Sequence, residues 1–271
     1  MGNIYVSPLG GLANRLRMII SSKILANYLN YNHFIINWID KDNCVGFDTL
    51  FKVDNEFKLA TVVPNNSKFI DLSQNIINLN EIKIYENIVI QGYDCIGIYT
   101  PIIGLPKDNE KKWELEYKEY YKKLQLIDNI KSKIQILPEN TVGIQIRRYD
   151  NIWSINNSPI ELFIDKIEKH IDSSIFLTTD DIYVENILKT KYPKIITTQK
   201  KGYIDNKLIR SDLIMQNNEV KTKENLKNAL IEAVIDAYVL SQCNIIYGSY
   251  WSSFGELSSY LTDTILITLK K

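Results

Sequence analysis

Histidine and cysteine are scarce in this chain of 271 residues, which has two of the first and three of the second. Neither His33 nor His170 has a cysteine or histidine at ligand spacing, which argues against a zinc site. Cys44, Cys95 and Cys243 are odd in number and far apart, which argues for a reduced, cytoplasmic setting. A surplus of charge is also missing, since 32 Lys and Arg balance 32 Asp and Glu. No net field recruits nucleic acid or an anionic membrane, so any anion site must be built locally. No stretch reaches the ~18 apolar residues of a membrane span, and no basic segment with a long apolar core opens the chain. A soluble, unsecreted protein is expected. Asn65-Asn66-Ser67 and Asn156-Asn157-Ser158 match the N-glycosylation pattern, and without a secretion signal both read as chance in an asparagine-rich sequence.

A hydrophobic share of 45% is enough for a packed core, and the length suits two compact lobes or one large α/β domain. Residues 4–7 read as a strand, 8–11 as a glycine turn and 12–29 as a helix with Leu12, Leu16, Ile19, Ile20 and Ile24 on one side. Strand, glycine turn, helix is an arrangement that binds anions, because the helix's first N–H groups face the turn and glycine lets a ligand approach. Gly10 and Gly11 form that turn, with Asn14, Arg15 and Arg17 in the first helical turns. Strands follow at 33–38, 57–63, 69–72 and 88–91, then a Tyr- and Lys-rich helix at 114–134 whose Tyr117, Tyr120 and Tyr121 read as packing.

Leu137-Pro138-Glu139-Asn140 marks a lobe boundary, giving lobes of 1–136 and 137–271. Beyond it strands at 142–146, 175–178, 194–197, 244–247 and 264–268 alternate with helices at 159–170, 182–191, 223–241 and 253–261. That alternation means a parallel sheet covered on both faces.

Ligands of open α/β sheets bind beyond the carboxyl ends of the strands, and Arg147-Arg148 stands at one such end. An arginine fork bridges two phosphate oxygens and keeps its charge at any working pH. Consecutive strand residues face opposite ways, so Arg147 is taken toward the ligand and Arg148 toward a carboxylate such as Asp150. Thr178-Thr179-Asp180-Asp181 closes another strand, where Asp180 or Thr179 caps the next helix or a carboxylate holds a ribose or base. Asp236 lies on a helix otherwise apolar around it. Gly248-Ser249-Tyr250-Trp251-Ser252-Ser253-Phe254 either repeats the anion-binding logic of the first turn or is a capped helix with locally packed aromatics.

Together these segments resemble the fucosyltransferase superfamily that uses GDP-fucose, including the α-1,2-, α-1,6- and protein O-fucosyltransferases. Gly10-Gly11-Leu12-Ala13-Asn14-Arg15-Leu16 is similar to its N-terminal G-G-x-G/A-N-Q/R-L segment, and Gln145-Ile146-Arg147-Arg148-Tyr149-Asp150 to its H-x-R-R-x-D strand end. Thr179-Asp180-Asp181, the run from Asp236 to Cys243 and Ser249 to Phe254 are similar to its S/T-D-D, D-x-x-L-L-S-x-C/A and S-x-x-S-S-F blocks.

The resemblance implies a GT-B-like α/β fold, with two Rossmann-like lobes of parallel sheets and a cleft between them. The first lobe would serve the acceptor and the second would hold the sugar nucleotide. Inverting, metal-independent transfer of fucose from GDP-fucose to a hydroxyl of a glycan acceptor is the activity it implies, with no cofactor.

In the roles so implied, Arg147 binds the diphosphate beside Arg148, Ser252 and Ser253. Asp236 reads the guanine edge, Asp180 or Asp181 the ribose or base, and Asn14 approaches from the first lobe. Gln145 replaces the family's histidine and can hydrogen-bond a base or ribose without carrying a proton. Asp150 is the first choice as general base, ahead of Asp40 and Asp42. Two alternatives stay open at this point, the same fold with another nucleotide sugar and a catalytically silent sugar-nucleotide or glycan-binding protein.

Overall fold

Short apolar segments, each too small to bury itself, line up in parallel in both halves of the chain. The computed structural model describes residues 2–271 except 39–44, 61, 74, 75, 94, 95, 99, 107, 108, 149, 150, 200–202, 205, 206 and 209–219. It consists of two compact units, 1–127 and 128–271.

The first unit runs β1 (Asn3–Pro8), α1 (Leu12–Tyr28), β2 (His33–Ile36), β3 (Lys58–Leu59), β4 (Lys68–Asp71), β5 (Ile77–Asn78), α2 (Leu79–Ile82), β6 (Asn87–Gly92), β7 (Ile102–Ile103) and α3 (Asn109–Lys122). Five strands form a parallel sheet in the order β3-β2-β1-β6-β4, while β5 pairs with β7 apart from it. The apolar positions expected on α1 are all buried, and α1 packs on β1, β2 and α3. Phe47 centres an aromatic cluster, with ring centroids 5.1 Å from Phe51, 5.9 Å from Phe57 and 6.1 Å from Trp38. Tyr117, Tyr120 and Tyr121 are buried, as the packing reading requires.

Two expectations in this unit are corrected. The helix expected over 114–134 ends at Lys122 because the chain then serves another segment: Lys52 donates its N–H to the Gln125 carbonyl at 2.7 Å, and Ile127 donates to Leu50 at 3.2 Å. Leu124 and Leu126 are buried there, and only after this extended stretch does a single turn, α4 (Asp128–Lys131), open the second unit. The strand expected over 57–63 is paired only at Lys58–Leu59, with Pro64 just beyond it unable to donate to a ladder.

The second unit continues with β8 (Val142–Ile146), α5 (Ile152–Asn157), α6 (Ile160–Lys169), β9 (Ile175–Thr179), α7 (Ile182–Lys191), β10 (Ile195–Ile196), β11 (Tyr203–Ile204), β12 (Lys207–Leu208), α8 (Val220–Leu240), β13 (Ile245–Ser249), α9 (Ser253–Thr262) and β14 (Ile265–Leu269). Its sheet is parallel throughout, in the order β10-β9-β8-β13-β14, and β11 and β12 make a separate antiparallel pair. β8 is buried on both faces. Ile144 and Ile146 join Phe163 and Ile167 of α6 in one core cluster. From the other face, a Cβ on Gly143 would meet Leu240 of α8 at 2.6 Å. Helices therefore cover both sides, as strand alternation demands.

The sheet is laid down outward from β8 through β9 to β10. It then returns by α8 to place β13 on the other flank of β8. The order reverses between β8 and β13, and the carboxyl ends of these two strands are where an open α/β sheet receives its ligand.

Candidate functional site

Arg147 and Arg148 are the first residues past the end of β8, and the structure gives them different work. The Arg147 amide donates to the Ser249 hydroxyl at 2.9 Å, tying the tip of β8 to the tip of β13. Its side-chain Nε lies 3.0 Å from Asp180 Oδ2, and its guanidinium is partly exposed while the carboxylate is buried. The fork is thus aimed from one side by a fixed carboxylate.

Arg148 turns away into the protein. Its Nη1 donates to the Arg147 carbonyl at 2.9 Å and its Nη2 to the Ser158 carbonyl at 2.6 Å. The guanidinium lies over the Phe163 ring, 5.7 Å from the centroid. Burial lowers its pKa, opposed by the nearby carboxylates of Asp180, Glu161 and Asp181, and an arginine so placed keeps its charge. Arg148 braces the strand end through main-chain carbonyls. Asp150, with Asp40 and Asp42, lies outside the described residues.

The two acids after β9 are both engaged. Asp180 accepts the Arg148 amide at 2.7 Å on Oδ1 as well as Arg147 on Oδ2. Asp181 caps α7, accepting from the amides of Tyr183 and Val184 at 2.9 and 3.4 Å. The capping role expected for Asp180 or Thr179 thus belongs to Asp181, because β9 runs one residue further, to Thr179, and moves the first free helical amides along with it.

Asp236 of α8 is buried, and its carboxylate accepts from the hydroxyls of Thr178, at 2.5 Å, and Thr198. Two hydroxyls from the ends of β9 and β10 therefore meet one acid of the crossover helix. Gln145 is buried in β8, where its Oε1 accepts the Ser249 amide at 3.2 Å. Gln145 thus supports the β13 loop.

That loop passes through Trp251, whose φ of 60° lies in the left-handed region that bulky residues rarely enter. Ser252 follows at the N-cap of α9 without a side-chain capping bond, and Ser253 opens the helix. The helix N-terminus carries a partial positive charge and its leading N–H groups lack intrahelical partners. The loop is held from the β8 side: Asn151 Nδ2 donates to the Trp251 carbonyl at 2.8 Å, Ser154 Oγ to the Tyr250 carbonyl at 2.7 Å, and the Tyr250 amide to Ser158 Oγ at 2.8 Å.

In the first unit, Gly10 adopts φ 81°, which glycine alone takes without strain, and Gly11 is the N-cap of α1. A Cβ on Gly10 would come within 3.2 Å of the Asn14 amide nitrogen, so Asn14 lies against the turn. Arg15 is buried beneath it, donating Nε to the Gly10 carbonyl at 2.8 Å and stacking over Trp38 at 5.0 Å. Arg15 therefore stiffens the turn from below.

One unit thus brings together Gln145, Arg147, Arg148, Asp180, Ser252 and Ser253 at the reversal of strand order, while Gly10, Gly11 and Asn14 occupy the corresponding turn of the other. Ser249 was legible only as part of the Gly248 to Phe254 run, and Asn151, Ser154 and Ser158 were not singled out as site residues from the sequence. The signal for the last three was only a hydroxyl or amide every three or four residues after the arginine pair.

No protein-family profile and no curated protein sequence matches the chain. Solved structures do. A mutant of Arabidopsis thaliana FUT1 in complex with GDP is 12% identical over 98% of this chain and 69% of its own, with a TM-score of 0.62. NodZ α-1,6-fucosyltransferase co-crystallised with GDP is 14% identical over 99% of this chain and 95% of its own, with a TM-score of 0.57. POFUT1 in complex with GDP-fucose is 11% identical over 98% of this chain and 97% of its own, with a TM-score of 0.52. The chain has a fucosyltransferase-like, GT-B-like α/β fold.

Proposed function

We propose that this protein is an inverting glycosyltransferase that moves fucose from GDP-fucose to a hydroxyl of a glycan. The observation that carries the reading is Arg147, just past the tip of β8, with its Nε fixed 3.0 Å from Asp180 and its amide tied to Ser249 at the tip of β13. GDP in the NodZ structure and GDP-fucose in the POFUT1 structure support the choice of donor.

In this mechanism the acceptor oxygen attacks C1 of fucose from the face opposite the diphosphate. The bond from C1 to the phosphate oxygen breaks, and its electron pair leaves with GDP. The negative charge then gathered on the diphosphate is met by the Arg147 guanidinium, the hydroxyls of Ser252 and Ser253 and the amides that open α9. Groups fixed before the reaction lose no energy in reorganising, and each such donor lowers the barrier by about 3–4 kcal/mol. Charge neutralisation of this kind performs the task a divalent ion would otherwise have. The acceptor proton passes to a carboxylate, for which Asp150 is proposed. Asp236, with Thr178 and Thr198, forms the base end of the donor site.

Calorimetric titration with GDP, UDP and ADP tests the reading. GDP should bind more than tenfold tighter than the other two, and equal affinities would remove it. Mass spectrometry of glycans incubated with GDP-fucose should then show the added deoxyhexose.

A further inference from the structure

Tryptophan side chains are highly buried on average, yet two of the chain's four stand out in solvent side by side. Trp153 of α5 and Trp251 of the β13 loop are 68% and 66% exposed, with ring centroids 6.4 Å apart and planes inclined at 36°. Ile152, also exposed, precedes Trp153 in α5. We propose that this indole pair is the acceptor subsite of the enzyme, stacking on the C–H face of a pyranose ring; the assignment rests on the glycosyltransferase reading above.

Three features of the pair point to a saccharide. First, it is held in place. Asn151 caps α5 through the Ser154 amide at 2.9 Å while reaching the Trp251 carbonyl at 2.8 Å, so one side chain fixes both ring-bearing segments. Trp251 keeps its left-handed φ of 60° in this grip, where asparagine or glycine would sit with less strain, and such strain gathers at ligand clamps.

Second, the pair's location separates it from the base end of the donor site. In the strand order β10-β9-β8-β13-β14, Thr178 of β9 and Thr198 just past β10 hold Asp236 of α8, whereas Trp251 follows β13 on the opposite flank of β8. A ring stacked on Trp251 lies beside Ser252, at the end of the diphosphate where the sugar reacts.

Third, the patch has the size of a sugar. Even fully buried, two indoles would cover only about 150–250 Å² each, short of the roughly 800 Å² per partner that a stable protein interface or a second copy of this chain needs. A pyranose presents an apolar, positively polarised C–H face to the negative face of an indole, and its hydroxyls find polar groups at the rim in Asn151 and Ser252.

The test uses the full chain saturated with GDP, a printed array of pyranose oligosaccharides, and lactose and chitobiose as soluble titrants read by tryptophan fluorescence. Wild type should bind a subset of these saccharides. Trp153→Ala and Trp251→Asn should each weaken that binding at least tenfold, while the GDP Kd stays within twofold and the melting temperature holds because both rings are exposed. Trp251→Asn suits the left-handed backbone, and Trp153→Ala lies in the separate helix α5, so one variant remains informative should the other fail to fold. Saccharide binding unchanged in both variants overturns the subsite. So does a wild-type chain that binds GDP and no saccharide, a result that leaves the donor reading standing. Loss of GDP affinity in step with saccharide affinity would assign the rings to the nucleotide instead. A wild-type chain that binds neither ligand sinks both readings.

Discussion

Arg147→Ala and Arg148→Ala should fail in opposite ways, although the two residues are neighbours of the same type. Arg148 donates two charged hydrogen bonds to main-chain carbonyls at 2.9 and 2.6 Å. Bonds of this kind contribute about 1.5–3 kcal/mol each, and water reaching a half-buried site replaces part of that, so its loss should destabilise the second unit by about 3 kcal/mol. For a unit of this size the melting temperature then falls by about 6–12 °C. Arg147 pairs with Asp180, and its side chain is 29% exposed. Solvent screening reduces the loss of that pair to about 1 kcal/mol, a shift of about 2–4 °C. Turnover reverses the ranking: removing a donor that faces developing charge lowers kcat about 10²–10³-fold. Melting curves and GDP release from GDP-fucose in the presence of an acceptor, measured below each variant's melting point, separate the two. Arg147→Ala with turnover within threefold of wild type would refute its assignment to the leaving group. An unshifted melting point in Arg148→Ala would refute the bracing role.

Four further changes follow from the same contacts. Asp180→Asn keeps an acceptor for the Arg148 amide but loses the charge beside Arg147 Nε, so turnover should fall at least tenfold with little change in melting temperature; full activity would show that Asp180 does not orient the arginine. Gln145→Leu leaves the buried Ser249 amide without its 3.2 Å acceptor and should cost about 1–3 kcal/mol in chemical denaturation, with weaker GDP binding; an unchanged midpoint refutes this. Gly143→Ala forces a methyl to within 2.6 Å of Leu240 and 3.2 Å of Cys243 Sγ, an overpacking of about 1–3 kcal/mol read by the same assay. Burial pushes the Cys243 thiol up to about 12, so peptide mapping after iodoacetamide at pH 8 should find Cys243 unmodified until the chain is unfolded.

The buried strands were legible because each is a short apolar run closed by a breaker: Pro138 precedes β8, and the polar Arg147-Arg148 follows it. The same rule failed at residues 123–127, since nothing local in Leu124-Gln125-Leu126 distinguishes a helix from a strand that Phe51 recruits from elsewhere in the chain. The cap at Asp181 was misplaced by one position for a related reason. Which of two adjacent acids caps a helix depends on where the preceding strand stops, and that is set by pairing with β8, not by the acids themselves.

The site itself has a deeper cause of partial legibility. Arg147 and Ser249 are 102 residues apart in sequence and meet because α8 carries the chain back across the sheet, so β13 joins β8 on the side away from β9. A motif marks the chemistry of each strand end separately, but their meeting is a property of strand order. The supporting groups were invisible for the same reason: Asn151, Ser154 and Ser158 are ordinary polar residues of a short helical segment until the return of β13 gives them Trp251, Tyr250 and Leu269 to hold. Their role makes the left-handed Trp251 tenable, since a strained residue persists only where its surroundings over-determine it. Replacing Asn151 with alanine therefore releases both the α5 cap and the Trp251 carbonyl in one step. Because the lost bonds lie outside the core, the melting temperature should move little while saccharide binding weakens. A loss confined to stability would show that the clamp serves the fold alone.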